Sequence, residues 1–416
     1  MFTKQNNNVL VENINILELV KKIETPAYIY SKRKIIENVK TLKSGLKKVD
    51  SVICFSVKAN SNLNLLKVLV SEGLGMDIVS GGELRKALLA GCNSKKIVFS
   101  GVGKSPVDIE YAIHEDILLF NVESESELFV INEISKKLGK ITSIAVRVNP
   151  DVSPNTHPYI STGLKENKFG ISINDSLNLH KKIKNFKNIR VIGVDFHIGS
   201  QITEVKPYID SLVKIENYIE ELRKYDIKLE FLDIGGGFGL MDNSDSFNLG
   251  VMLNEIANKL KSFNLKIIVE PGRSIIGNTS FLISKVLYIK KNESKNFAIC
   301  DAGMNDLLRP ALYKSYHEIV NLSNFQSSDK NLNVFDIVGP VCESSDCFFP
   351  KKTIDLSEND YIAIMNTGAY GYSMASNYNS RPKPGEILID DSKCIVIRKK
   401  ESIDDLMKNE ITQELL

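Results

Sequence analysis

The sequence predicts a TIM-like (β/α)8 barrel, an α/β barrel, followed by a C-terminal mainly-β domain. Three observations carry that expectation. Eight short apolar runs recur between about residues 50 and 275, amphipathic stretches of helical character separate them, and after residue 280 the texture changes to strand-like pieces without regular helices. A chain of 416 residues is too long for one ordinary core, and about 250 residues is the usual size of such a barrel.

The runs, in order, are VICFSV (52–57), MDIV (76–79), IVFS (97–100), ILLF (117–120), IAVRV (144–148), VIGVDF (191–196), FLDI (231–234) and IIVE (267–270). Between them lie NLNLLKVLVSEG, GELRKALLAG and SESELFVINEISKKLG, whose apolar residues recur at helical spacing. A doubly wound open sheet with the same eight strands is the rival, and periodicity alone leaves it open. The long gap after the fifth run holds DVSPNTHPYISTGLKENKFG, whose Pro, Asn and Gly content reads as a functional loop. Past residue 280 come FLISKVLYIKK, NFAICDAG, NVFDIVGPVC, YIAIMNTG and EILIDDSKCIVIRKKE, then a short helix in the last dozen residues. The expected division is an N-terminal segment (1–30) joining the β domain, a barrel (31–278) and a β-rich domain (279–416) that contributes substrate and dimer contacts.

Composition narrows the function. A hydrophobic fraction of 43% with 25% charged residues is that of a soluble globular protein, and a formal charge of +2 argues against a dedicated nucleic-acid or membrane surface. No apolar run is long enough to span a bilayer. The first 26 residues lack the basic-then-apolar pattern of a secretory signal. Six scattered cysteines, with no CxxC spacing and no neighbouring histidine, point to a reducing cytoplasm and to no metal site.

Several polar motifs stand where an apolar run ends, the end at which the strand-to-helix loops of a barrel converge on an active site. In CFSVKAN, Lys58 follows a buried strand; an amine there can form an imine, although a lysine capping a strand is commoner. FLDIGGGFG offers backbone N–H groups to an anion, or makes a tight turn; it is neither a GxGxxG fingerprint nor a P-loop. IIVEPGRS places a carboxylate, Glu270, beside a cation, Arg273. A carboxylate next to a pyridine nitrogen keeps that nitrogen protonated, and an arginine grips phosphate or carboxylate, while an internal ion pair is the simpler outcome. FHIGSQ sets His197 to stack on a flat ring and Ser200 to bind phosphate, although a lone histidine is more often a satisfied core residue. Cys342, in Cys342–Glu343–Ser344 after a Gly-Pro turn, offers a thiol as proton donor or nucleophile. His114, His157, His180 and His317 have no comparable catalytic setting.

Taken in order, KAN, GMDIVSGGE, HIGSQ, DIGGGFG, EPGR, CESSD and GAYG resemble the fold-type III pyridoxal-phosphate decarboxylases, the alanine-racemase-like barrel group, from about Pro26 to about Arg398. Within that group DAGMNDLLRPALYKSYH, GPVCESSDCF and GAYGYSMASNYNSRPKPGEIL are similar to the diaminopimelate decarboxylase branch rather than to ornithine and arginine decarboxylases. The resemblance implies the cofactor pyridoxal 5'-phosphate, with Lys58 in imine linkage, Glu270 at the pyridine nitrogen and His197 on the ring face. It puts Gly236, Gly237, Gly272, Arg273, Ser200 and Tyr370 around the phosphate, and Asp77 and Arg147 in a polar network behind the cofactor. Arg273, Arg309, Tyr313, Glu343, Tyr370 and Tyr378 would contact substrate, and the partner subunit's Cys342 would donate the proton, which implies a homodimer with a shared active site. PYISTGLKENKFG matches the family's substrate-side loop.

The implied reaction is decarboxylation of meso-2,6-diaminopimelate to L-lysine and CO2, the last step of lysine biosynthesis. The distal end of that substrate carries both signs of charge, so Arg309 with Arg273 would hold its carboxylate and Glu343 its ammonium. The alternative within enzymes is a decarboxylase of another basic amino acid, of the ornithine, arginine or carboxyspermidine type, which needs no distal cation. A catalytically dead relative should have lost Lys58, Cys342 or Glu270, all present here. A racemase on the same barrel lacks the CES segment.

Overall fold

A computed structural model describes residues 1–5, 8–152, 168–240, 247–325 and 331–411 of the chain. The chain divides into two compact units, Ile36–Ile275 and the combination of Met1–Ile35 with Ile276–Leu416.

The first unit is a closed ring of eight parallel strands: β1 (Ser51–Ser56), β2 (Gly75–Ile78), β3 (Ile97–Phe99), β4 (Leu119–Val122), β5 (Thr142–Asn149), β6 (Ile189–Asp195), β7 (Phe231–Asp233) and β8 (Lys266–Val269). Closure is explicit in two pairings. β8 lies against β1 with Val269 opposite Ile53, and β4 lies against β5 with Phe120 opposite Ile144. An open doubly wound sheet is thereby excluded.

Residue alternation explains the interior. Side chains two apart on a strand share a face, and Cys54, Val98, Leu119, Ala145 and Ile268 belong to one buried apolar cluster. Two residues further along the same strands stand Ser56, Ser100, Asn121, Arg147 and Glu270. The apolar layer is thus a floor, and the next layer toward the C-terminal end is polar.

The helices that follow are α1 (Leu63–Ser71), α2 (Gly81–Leu89), α3 (Pro106–His114), α4 (Glu125–Lys137), α5 (Ile173–Ile183), α6 (Lys206–Arg223) and α7 (Leu249–Leu260). One local device starts four of them. Ser80, Ser105, Ser124 and Ser172 each stand just before a helix and accept a hydrogen bond from the N–H of an acidic residue three positions on. In α2 and α4 that acid, Glu83 or Glu127, also accepts from the N–H of Val79 or Glu123, which ties the helix start to the strand end.

One strand is displaced from its sequence signal. The run at 117–120 marks a strand that occupies Leu119–Val122. Ile117 instead closes α3: its N–H bonds to the Ala112 carbonyl, and Asp116 takes the left-handed conformation (φ 54°) with its N–H on Ile113. That geometry terminates helices and needs an apolar residue just beyond the turn. Of DVSPNTHPYISTGLKENKFG, residues 153–167, including His157, lie outside the described residues.

The second unit is built on one large sheet and a small three-stranded one (Phe2–Gln5, Asn8–Val11, Ile14–Asn15). In spatial order the strands of the large sheet are Cys347–Ile354, Asn333–Val338, Asn296–Cys300, Ser280–Lys291, Ala27–Ser31, Gly385–Asp390 and Lys393–Arg398, and Tyr361–Met365 also pairs with Ser280–Lys291. Ala27–Ser31 had no separate signal as a strand, yet all five of its residues are buried. It runs parallel to Gly385–Asp390 and antiparallel to Ser280–Lys291, which brings the N-terminal segment into this unit. Val9, Val11, Ile16, Ile29, Phe281, Ile283 and Ile389 contribute to its core. A short helix covers Ile403–Met407.

Candidate active site

The C-terminal ends of the barrel strands bring ten of the expected residues into one unit. Lys58 follows β1 in a turn of 3-10 helix (Val57–Ala59), and its Nζ donates to Asp77 Oδ2 at 2.8 Å. Asp77 is fully buried on β2, and Ser56 Oγ lies 2.7 Å from the same oxygen. A buried aspartate fixes the amine at the mouth of the barrel, where an isolated ammonium would be costly.

Glu270 directly follows β8 and is 5% exposed. Its Oε1 accepts from Ser100 Oγ at 3.0 Å and Asn121 Nδ2 at 3.2 Å, and the Asn121 amide also reaches Asp233 Oδ2 at 3.2 Å. Burial pushes the Glu270 carboxyl up to about 7, and the neighbouring Asp77 adds to this against the opposing pull of Lys58 and Arg147. Asp195, Asp233 and Glu270 each offer an oxygen within 4.8 Å of the others. Burial and mutual repulsion raise both aspartates well above the usual carboxylate range, so the trio shares protons as buried carboxyl clusters do. Arg147 supplies the local cation, with Nη1 donating to Glu123 Oε1 at 2.9 Å and Nε 3.7 Å from Asp195 Oδ2.

His197 accepts the Gly236 N–H on Nδ1 at 3.1 Å. Burial, Arg147 and Lys58 hold its pKa well below 6.5, so the ring is neutral with its proton on Nε2. The glycines beside it are required by contact. A Cβ on Gly236 would stand 2.0 Å from the Glu270 carbonyl oxygen; on Gly237 (φ +91°) it would stand 2.2 Å from that of Gly199. Tyr208 of α6 holds this turn from beneath, donating to the Gly236 carbonyl at 2.7 Å, and Ile202 N–H bonds to the Gly237 carbonyl at 2.9 Å. Ser200 accepts from Arg273 Nη2 at 3.4 Å, while Gly272 packs so closely that an added Cβ would meet those of Ala59 and Ser56 at 3.0 and 3.1 Å.

The remaining six expected residues belong to the second unit and form two groups there. Arg309, buried in the helix Arg309–Tyr313, lies over the rings of Tyr313 (5.5 Å) and Tyr370 (5.9 Å) and donates to Ser315 Oγ at 3.0 Å. Tyr378 donates to Glu343 Oε1 at 2.5 Å, and that carboxylate raises the phenol's pKa. Cys342 is exposed, with its N–H on Asn379 Oδ1 at 3.0 Å. Asp346 organises the same turn by accepting from Val341 N–H and Met304 N–H, both at 2.7 Å.

The sequence reading did not single out Ser56, Ser100, Asn121, Glu123, Asp195, Asp233, Tyr208 or Asp346. Ser56, Ser100, Asp195 and Asp233 lie within the quoted apolar runs, so the strand-end rule that found Lys58 and Glu270 reaches them too. Tyr208 has no such signal, because its role rests on a helix packing under a loop.

This polar layer is what a planar, phosphorylated aldehyde needs. It offers an amine, a carboxyl for a ring nitrogen, a neutral imidazole and a glycine turn whose backbone admits no side chain. The comparisons agree. Residues 32–277 match the family model described as pyridoxal-dependent decarboxylase, pyridoxal binding domain. The diaminopimelate decarboxylase of Haemophilus influenzae is 43% identical over 413 residues, covering 99% of each chain. This chain belongs to the diaminopimelate decarboxylase family. A crystal structure of the family's Helicobacter pylori member complexed with L-lysine superposes with a TM-score of 0.91 at 44% identity, covering 95% of this chain and 99% of that one. The M. jannaschii member, also in complex with L-lysine, gives 0.93 at 36% identity, covering 99% and 98%. The enzyme is a pyridoxal-dependent carboxy-lyase.

Proposed function

We infer that this enzyme decarboxylates meso-2,6-diaminopimelate to L-lysine and CO2 with pyridoxal 5'-phosphate, as the last step of lysine biosynthesis. The observation that carries the reading is the polar layer itself, in which Lys58 on Asp77 and Glu270 between Ser100 and Asn121 share one barrel mouth. Bound there, the cofactor supplies an electron sink for the charge left when the substrate's carboxylate departs. Lys58 would hold it covalently, Glu270 would pair with its ring nitrogen, and His197 would pack on its ring. The turn of Gly236 and Gly237, with Ser200, Gly272 and Arg273, would receive its phosphate, and Tyr370 would add a contact to it. Asp77 and Arg147 fix the charges behind it.

Substrate selection rests on both signs of charge. Arg309, with Arg273, binds the distal carboxylate; Glu343 binds the distal ammonium, and Tyr313, Tyr370 and Tyr378 complete the contacts. A decarboxylase of ornithine would need no cation at the distal end. Cys342 carries the proton that replaces the lost carboxylate, acting in a homodimer whose β-rich units provide substrate and dimer contacts. The exposed position of Cys342 leaves its thiol open to a partner's site. No helix among the described residues is long and apolar enough to cross a membrane; the cytoplasm is the proposed location.

The test offers purified enzyme and pyridoxal phosphate three substrates: meso-diaminopimelate, ornithine and arginine. Only the first should release CO2 and yield lysine, and equal turnover of ornithine would overturn the assignment. Lys58→Ala should abolish the cofactor's imine absorbance. Mixing inactive Lys58→Ala and Cys342→Ala dimers should recover up to about a quarter of native activity after subunit exchange, since half the dimers would be mixed with one intact site each. No recovery despite exchange would refute the shared site.

A further inference from the structure

Glu123 directly follows β4, and its buried carboxylate collects three donors from three places. Oε1 accepts from Arg147 Nη1 at 2.9 Å and Gly101 N–H at 3.1 Å; Oε2 accepts from Gly170 N–H at 3.0 Å. Gly170 lies near the end of the longest strand-to-helix connection in the barrel, that between β5 and α5. Four contacts hold the return of this connection. The Phe169 ring lies over the Arg147 guanidinium at 5.2 Å, and Gly170 bonds to Glu123. Ile171 and Ser172 pair in parallel with Val148 and Asn149, and Ser172 caps α5. Gly170 is left-handed (φ +69°), and a Cβ there would press on Val148 and Asn149 backbone at 3.3 Å.

The guanidinium is therefore shared between two tasks. It lies 3.7 Å from the Asp195 carboxylate of the polar layer and also packs on the Phe169 ring. We propose that Glu123 and Phe169 are positioning residues forming a latch, which fixes the end of the β5–α5 connection to Arg147 and so sets the substrate side of the barrel mouth relative to the cofactor floor. Connections at this end of a barrel build the substrate site. A carboxylate bridging the floor and such a connection couples them through charge-assisted hydrogen bonds. The latch rests on the decarboxylase reading for its effect on substrate, and on geometry alone for its effect on the backbone.

The test uses Glu123→Gln, which keeps the shape and removes the charge, and Phe169→Leu, which removes the ring. Amide hydrogen exchange over residues 168–172, measured on holoenzyme without substrate, should be faster in both variants, with barrel-strand peptides unchanged. KM for meso-diaminopimelate should rise about tenfold in Glu123→Gln, the order expected from losing one charge-assisted bond. kcat should move less, and the cofactor absorbance should be that of the native enzyme. Phe169→Tyr, which keeps the ring, should restore both exchange and KM. Unchanged exchange at 168–172 in Phe169→Leu, or a fall in kcat at constant KM, would overturn the latch. Faster exchange in an enzyme whose native form does not turn over meso-diaminopimelate would uphold the latch's geometry and sink only the substrate assignment.

Discussion

Replacing His180 by leucine should make the barrel unit more resistant to acid. His180 lies on the buried face of α5 at 2% exposure, and neither ring nitrogen has a hydrogen-bond partner among the described residues; the ring's neighbour is Tyr218, 6.1 Å between centroids. Burial lowers its pKa from 6.5 to about 4. Above pH 6.5 the ring is neutral whether the chain is folded or not, and the pH adds no penalty. As pH falls below 6.5 the unfolded chain takes up a proton that the folded chain refuses. Stability is therefore lost progressively until the folded pKa is passed. Setting the unfolded value at 6.5 and the folded value at 4, the loss at pH 5 comes to about 2 kcal/mol relative to pH 8. Urea unfolding of native and His180→Leu protein at both pH values measures this term, because other titrating groups affect both proteins alike. The gap between the two should widen by about 2 kcal/mol on going to pH 5. Parallel loss, with the gap constant, would refute the assignment of a buried, uncharged His180.

Three further substitutions probe the polar layer. Lys104 has no exposed side-chain surface and donates to the carbonyls of Gly101 and Asn121 and to Glu127. Lys104→Met should cost about 3–5 kcal/mol in urea unfolding, because Glu127 would be left buried without its cation. Gly237→Ala should lose cofactor absorbance on dialysis faster than the native enzyme, since its Cβ would press on the Gly199 carbonyl at 2.2 Å; native retention would show that the turn has room. Glu270→Gln should fold normally and lower kcat by roughly a hundredfold or more, as a neutral amide holds the ring-nitrogen proton poorly. A native kcat would remove Glu270 from the mechanism.

Much of this site is legible in the sequence because a barrel places function at one kind of position, the residue where an apolar run stops. Lys58, Asp77, Arg147, His197 and Glu270 all lie in or beside such runs. Asn121 and Glu123 escaped because Ile117 supplies the apolar signal while serving the end of α3, which shifts the strand by two residues. The strand Ala27–Ser31 escaped because it stands alone, outside the recurring series of runs, and its partners Ser280–Lys291 and Gly385–Asp390 lie far along the chain. Tyr208 and Lys104 act through tertiary contacts that no local spacing records. Within the second unit the motifs GAYG and CESSD were visible, but the ring contacts of Arg309 and the turn held by Asp346 depend on segments distant in sequence.

The carboxyl trio of Asp195, Asp233 and Glu270 also changes what the formal charge of +2 means. That count assigns a full negative charge to every acidic residue, whereas three carboxyls packed this closely out of water keep at least one proton at neutral pH. The folded protein is more basic than its composition states. Its isoelectric point should fall on unfolding, so a native gel and a urea gel would place the same chain at different pH values.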